Sequence, residues 1–71
     1  MVALIEQRKK KKMTQGQLAE RIGVTQGAIS QWESGLTFPD VRLLVKISEV
    51  LECTVDELLK GGSKDGKAGV S

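Results

Sequence analysis

Apolar residues along the first sixty positions come in short helical bursts, each bounded by a capping residue, a glycine or a proline. From Val41 to Leu51, the residues Leu43, Leu44, Ile47, Val50 and Leu51 fall at i, i+1, i+4, i+7 and i+8, the stripe of a helix with one buried face. Ahead of it, Leu18, Ile22, Val24, Ile29 and Trp32 are spaced to meet one core from two shorter helices. Thr14 opens the first of these, with Gln17 three residues on completing a capping box, and Thr25 caps the second. Gly35 is its stop, and Pro39 and Asp40 mark a loop and the next helix start. Thr54 and Glu57 form a second capping box, for a short helix ending near Leu59 or Lys60. A leading helix is expected from Val2 to Lys11, with Leu4 and Ile5 turned inward. No strand-like alternation and no internal repeat interrupts this pattern. It predicts an all-α, compact five-helix domain over residues 1–60, followed at 61–71 by a Gly-, Ser- and Lys-rich flexible tail or linker start.

The two helices on either side of Gly23 read as a helix-turn-helix. Ala19 is small where the helices cross, and glycine at position 23 accepts the positive φ of a tight turn. With the apolar residues committed inward, Gln26, Gly27, Ser30 and Gln31 are left on the outer side of the second helix. Solvated helix faces usually carry charges, whereas Thr25 to Trp32 has none. Short polar groups on such a face suit base edges in the major groove, and glutamine pairs bidentately with adenine N6 and N7. The candidate base-reading residues are therefore Gln26, Gly27, Ser30 and Gln31, with Gly27 permitting close approach rather than reading.

Charge sharpens this picture. The net charge of the 71-residue chain is only +2, but residues 1–39 carry six bases against three acids, +3, while residues 40–60 carry three against five, −2. A basic half beside the reading helix and an acidic half behind it suit a polyanionic partner. Gln15 and Thr25, at the two helix starts, and Lys9, Lys10 and Lys12 of the run Arg8 to Lys12 are candidate phosphate contacts. A helix cannot aim five consecutive residues at one partner, and lysines at a helix end also suit its negative pole. Arg8 is assigned instead to an ion pair with Glu33 that would lock the first and third helices together.

The remaining features point away from catalysis. Histidine is absent and Cys53 is the single cysteine, so neither an internal disulfide nor a thiolate zinc site is expected, nor any other metal or cofactor. Cys53 reads as a small buried hydrophobe and Trp32 as core. No apolar run approaches a membrane span or a signal peptide, and no small-molecule ligand is evident; a cytoplasmic protein is expected, and not an enzyme. The stretch from Gly61 to Lys67 matches the spacing of a phosphate-binding loop but lacks the preceding strand and the following Ser or Thr that such a loop requires. Leu36 and Phe38, apolar residues in the loop beside the reading helix, either fold inward or form part of a dimer contact; both alternatives are open at this point.

Arg8, Thr14-Gln15-x-x-Leu18-Ala19-x-x-Ile22-Gly23-Val24, Ile29-Ser30-x-Trp32-Glu33-x-Gly35, Pro39, Leu43-Leu44-x-x-Ile47 and Asp56 to Leu59 together resemble the Cro/CI-type, or XRE, helix-turn-helix family. That family includes the lambdoid phage repressors, and Ala28 to Glu33 looks especially like repressors of temperate phages. The resemblance implies an operator-binding homodimer that usually represses transcription. It puts Gln15 on phosphate, Gln26, Gly27 and Gln31 at base-reading positions, and Arg8 and Glu33 in the helix-locking pair. It also suggests a dimer surface on the fifth helix around Val55 and Leu58. The chain departs from the pattern at Leu36, where many relatives have a basic residue. It also departs at Lys12 and Glu52, where relatives often have turn glycines, and at Gly27, where a side chain often reads a base. The alternative is the same fold serving as a protein-interaction module, such as an antitoxin or adaptor, through Leu36, Phe38 and the fifth helix.

Overall fold

A computed structural model of the chain describes residues 1–60, so the flexible tail expected at 61–71 lies outside the described residues. Five helices follow in order: α1 (Val2–Lys10), α2 (Gln15–Ile22), α3 (Gln26–Ser34), α4 (Val41–Leu51) and α5 (Val55–Lys60). Each of the last four is opened by the side chain in front of it. Thr14 Oγ1 accepts from Gln17 N–H at 3.1 Å while Gln17 Oε1 accepts from Thr14 N–H at 2.9 Å, the reciprocal box. Thr25 Oγ1 accepts from Ala28 N–H at 3.1 Å, and Asp40 Oδ1 from Leu43 N–H at 2.9 Å. Thr54 and Glu57 repeat the box at α5, at 3.0 and 2.8 Å.

The core is one cluster: Leu4, Leu18, Ala19, Ile22, Ile29, Trp32, Leu44, Ile47, Leu51 and Leu58, with Met13, Val24, Leu43, Val50, Cys53 and Val55 packed partly buried against it. α2 rests on α3 and α4, while α1 bridges α3 and α5. The helices that carry the proposed site are thus backed by α1 and α4, which α5 supports in turn. The expectation for α1 is corrected in two details: the helix stops at Lys10, and Ala3 with Leu4 faces the core while Ile5 is half-buried. On α4, Ser48 is buried where the stripe has no apolar residue; its hydroxyl donates to Val45 O at 2.6 Å, which satisfies it.

The dimer surface drawn from α5 is also corrected. Leu58 is 1% exposed and belongs to the core, and Val55 packs partly buried beside it, because this six-residue helix spends its apolar side on α1 and α4. The apolar residue that α5 leaves in solvent is Leu59. Leu36 and Phe38, in contrast, do not fold inward: they are 72% and 58% exposed. Val41 and Val45, on the first two turns of α4, are exposed as well.

Candidate nucleic-acid interface

The turn between α2 and α3 is built by backbone geometry that its residues permit. Gly23 stands at φ 92° and donates to Ala19 O at 2.7 Å, and Val24 N–H donates to the same carbonyl at 3.0 Å. Ala19, almost fully buried, lets the two helices approach at the crossing. Gly35 ends α3 in the same left-handed conformation, at φ 86°. Between these stops, Gln26, Gly27, Ser30 and Gln31 are all exposed on one side of α3, and Ile29 and Trp32 are buried on the other.

A chain of polar contacts runs from α1 to the start of this face. Arg8 Nε donates to Glu33 Oε2 at 2.6 Å and its Nη2 to Glu33 Oε1 at 3.2 Å, while Nη1 holds Met13 O at 2.8 Å. The pair is well buried, with side chains 12% and 7% exposed, and its bidentate geometry satisfies both charges. Gln15 Nε2 then donates to Glu33 Oε1 at 2.8 Å, and Gln26 Nε2 reaches Gln15 Oε1 at 3.5 Å, a long and weak contact. Arg8, Glu33, Gln15 and Gln26 therefore form one relay. It ties the expected helix lock to an expected phosphate contact and an expected base reader.

At the other end of the face, Gln31 is also supported. Its carbonyl accepts from Leu36 N–H at 2.9 Å and from Thr37 N–H at 3.4 Å, and Thr37 Oγ1 reaches Gln31 Oε1 at 3.4 Å. Thr37 is a participant that sequence reasoning missed; a hydroxyl six residues on in a loop carries no periodic signal. The α-amino group of Met1 is another, donating to the carbonyls of Trp32 and Glu33 at 2.7 and 3.2 Å and so meeting the carbonyl end of α3.

The basic run divides. Arg8 is committed to Glu33, and Lys11 to Glu52 across the α4–α5 turn, where the lysine holds the Glu52 carboxyl below its usual range. Lys10 lies near enough to Cys53 to act on its thiol, which burial and then Glu57 push up nevertheless. Cys53 is half-buried. Lys9, Lys10 and Lys12 are exposed with no ion pair among the described residues. Lys12 does so at φ 58°, and lines a polar cleft with Met13, Gln17, Glu20 and Arg21. Among the described residues no group of His, Cys, Asp and Glu is arranged to hold a metal ion.

Helix order, turn geometry and the match of a helix-turn-helix family model over residues 4–58 now coincide. The chain belongs to the helix-turn-helix family. Its members similar to this chain include the uncharacterized transcriptional regulator YqaE of Bacillus subtilis, 41% identical over 58 residues, which are 82% of this chain and 50% of that protein. The crystal structure of the P22 c2 repressor, solved in complex with synthetic operator 9T, is 43% identical and superimposes with a TM-score of 0.77 over 82% of this chain and 88% of that one. The N-terminal DNA binding domain of SinR from Bacillus subtilis is 32% identical, with a TM-score of 0.75 over 97% of each chain. The chain spans about half the length of YqaE and a quarter of the C2 repressor of Salmonella phage P22. Among the described residues, no helix of this helix-turn-helix chain is long and apolar enough to cross a membrane.

Proposed function

We propose that this chain reads operator DNA for a transcriptional regulator of the phage or prophage repressor type, as a cytoplasmic homodimer with α3 in the major groove. The observation that carries the proposal is the exposed, uncharged face of α3, which Gln26 opens beside Gln15, itself held by the buried Arg8–Glu33 pair. A base-reading amide must be oriented before it meets its partner, since ordering a free side chain at the interface costs about 0.5–1.5 kcal/mol. Gln26 and Gln31 read base edges, and Ser30 supports them with a hydroxyl. Gln15, Thr25, Lys9 and Lys12 meet the flanking phosphates, Thr25 through its hydroxyl hydrogen because its oxygen already caps α3. The exposed apolar residues Leu36, Phe38, Val41 and Val45, immediately after α3, favour self-association next to the duplex. The similarity to a repressor crystallised with its operator supports the same reading.

The test is selection of bound duplexes from a random pool at physiological salt, using the purified chain. The expected product is a near-palindrome whose half-sites lie about one helical turn (~34 Å) apart. Binding that enriches no sequence and disappears as salt rises would leave only a phosphate interaction. The proposal would then fall, and Leu36, Phe38 and Leu59 would point to a protein partner instead.

A further inference from the structure

We propose that Gly27 leaves one base pair of each half-site unread, so that a degenerate position separates two strongly selected ones. The inference rests on α3 being the base-reading helix and concerns what that helix omits. Glycine is a poor helix former and is usually retained for a positive φ or for want of space. Neither reason applies at Gly27. It is not among the positive-φ glycines, unlike Gly23 and Gly35. A Cβ built on it would meet only Thr25 Oγ1 at 3.8 Å, ordinary van der Waals contact. Gly16, the second residue of α2, is similar, since a Cβ there would make ordinary contact with the Gln26 side-chain oxygen at 3.6 Å. The isolated domain therefore makes no demand for glycine at position 27.

The consequence follows from spacing. Gln26 and Gln31 are five residues apart, about 7.5 Å along a helix that rises ~1.5 Å per residue. On the exposed face of α3, Gly27 and Ser30 lie between the two glutamines, so a base pair facing that stretch is flanked by the pairs that Gln26 and Gln31 meet. Gly27 and Ser30 are the exposed α3 residues available to that middle pair. Gly27 has no side chain, and the serine hydroxyl both donates and accepts, so it suits any base. The middle pair is approached without discrimination. The space at Gly27 is nevertheless sufficient for a side chain that would discriminate.

The experiment compares duplex selections by the full chain and by the variants Gly27→Gln and Gly27→Ala at one salt concentration, with a thermal melt of each protein. The unsubstituted chain is expected to enrich a half-site with near-equal base frequencies at one position between two sharp ones. Gly27→Gln should convert that position to a preference for adenine of about 5- to 150-fold, the range of one bidentate pair. Gly27→Ala should raise Tm by about 2–6 °C while the flanking positions stay selected. The inference is overturned if the unsubstituted chain selects the middle pair as sharply as its neighbours. It is also overturned if folded Gly27→Gln leaves the middle frequencies unchanged. Loss of binding to every sequence in Gly27→Ala would overturn it too, since the glycine would then serve close approach. If the unsubstituted chain enriches nothing, the operator-reading proposal fails at all positions alike, a result distinct from a change confined to the middle pair.

Discussion

Residues 1–39 and 40–60 solve different problems with similar helices. The first part is basic, places its uncharged polar residues on one face of α3, and ties α1 to α3 by the buried Arg8–Glu33 pair. The second is acidic and strongly amphipathic, and contributes Leu44, Ile47, Leu51 and Leu58 to the core. The first part also supplies Leu4, Leu18, Ala19, Ile22, Ile29 and Trp32 to that core, so it both presents the polar face and holds much of it in place. The difference makes it testable whether sequence choice and stability lie on separable sets of side chains. Lys11–Glu52 is the exposed ion pair that joins the two parts.

The largest expected effect comes from breaking the element that serves both purposes. Glu33→Ala strands a largely buried Arg8 and releases Gln15, so it should destabilise the domain by about 3–5 kcal/mol. In a domain of this size that lowers Tm by roughly 15–30 °C. Measured below that Tm, the variant should also discriminate less at the base pair Gln26 meets, because the relay to Gln26 is cut. A stability loss with unchanged sequence choice would show that the relay does not orient the reader.

Ile47→Ala makes the complementary test. Ile47 is fully buried on α4, so the cavity left should cost about 2–4 kcal/mol in denaturant unfolding. Duplex selection below the transition should nevertheless return the sequence chosen by the unsubstituted chain. A changed sequence would mean that the two parts are not separable and that α4 packing tunes the pose of α3.

Gln26→Ala reverses the signs. An exposed residue of α3 should change Tm little, yet its loss should cost about 1–3 kcal/mol of discrimination at one base pair of the half-site. Competition binding with single-base variants of the operator measures it, and equal losses against every duplex would reassign Gln26 to the phosphates.

The helix boundaries were legible because Thr14, Thr25, Asp40 and Thr54 cap by local hydrogen bonds that depend on near neighbours only. The exposed polar face of α3 was legible because α2 and α3 are periodic enough to assign their inward residues. The burial of Leu58 was not, since six residues of α5 give too little period to choose a face, and packing on α1 chooses it. Long-range polar partners were divided in the same way. Arg8–Glu33 could be proposed from a motif, but Gln15–Glu33, Thr37–Gln31 and Lys11–Glu52 join residues whose separation in sequence says nothing about their distance in space.

The smallest effect is also the most discriminating, because it moves stability and binding in opposite directions. Lys12 and Glu52 both hold positive φ without being glycine, at 58° and 56°. In the acidic part the strained residue has a use visible in the protein itself, the pairing of Glu52 with Lys11. In the basic part, Lys12 makes no ion pair among the described residues, and the use proposed for it is a phosphate contact. An L-residue in this region costs about 1–2 kcal/mol, and glycine returns ~0.4–1 kcal/mol of that through the greater freedom of the unfolded chain. Lys12→Gly should therefore stabilise the domain by about 0.5 kcal/mol, a Tm rise of a few degrees. It should at the same time weaken binding to all duplexes and reduce the slope of log K against log salt by about 0.9, one phosphate contact. A more stable protein with an unchanged salt slope would remove Lys12 from the interface and leave Lys9 and Lys10, the exposed lysines of α1 with no ion pair among the described residues, to serve it.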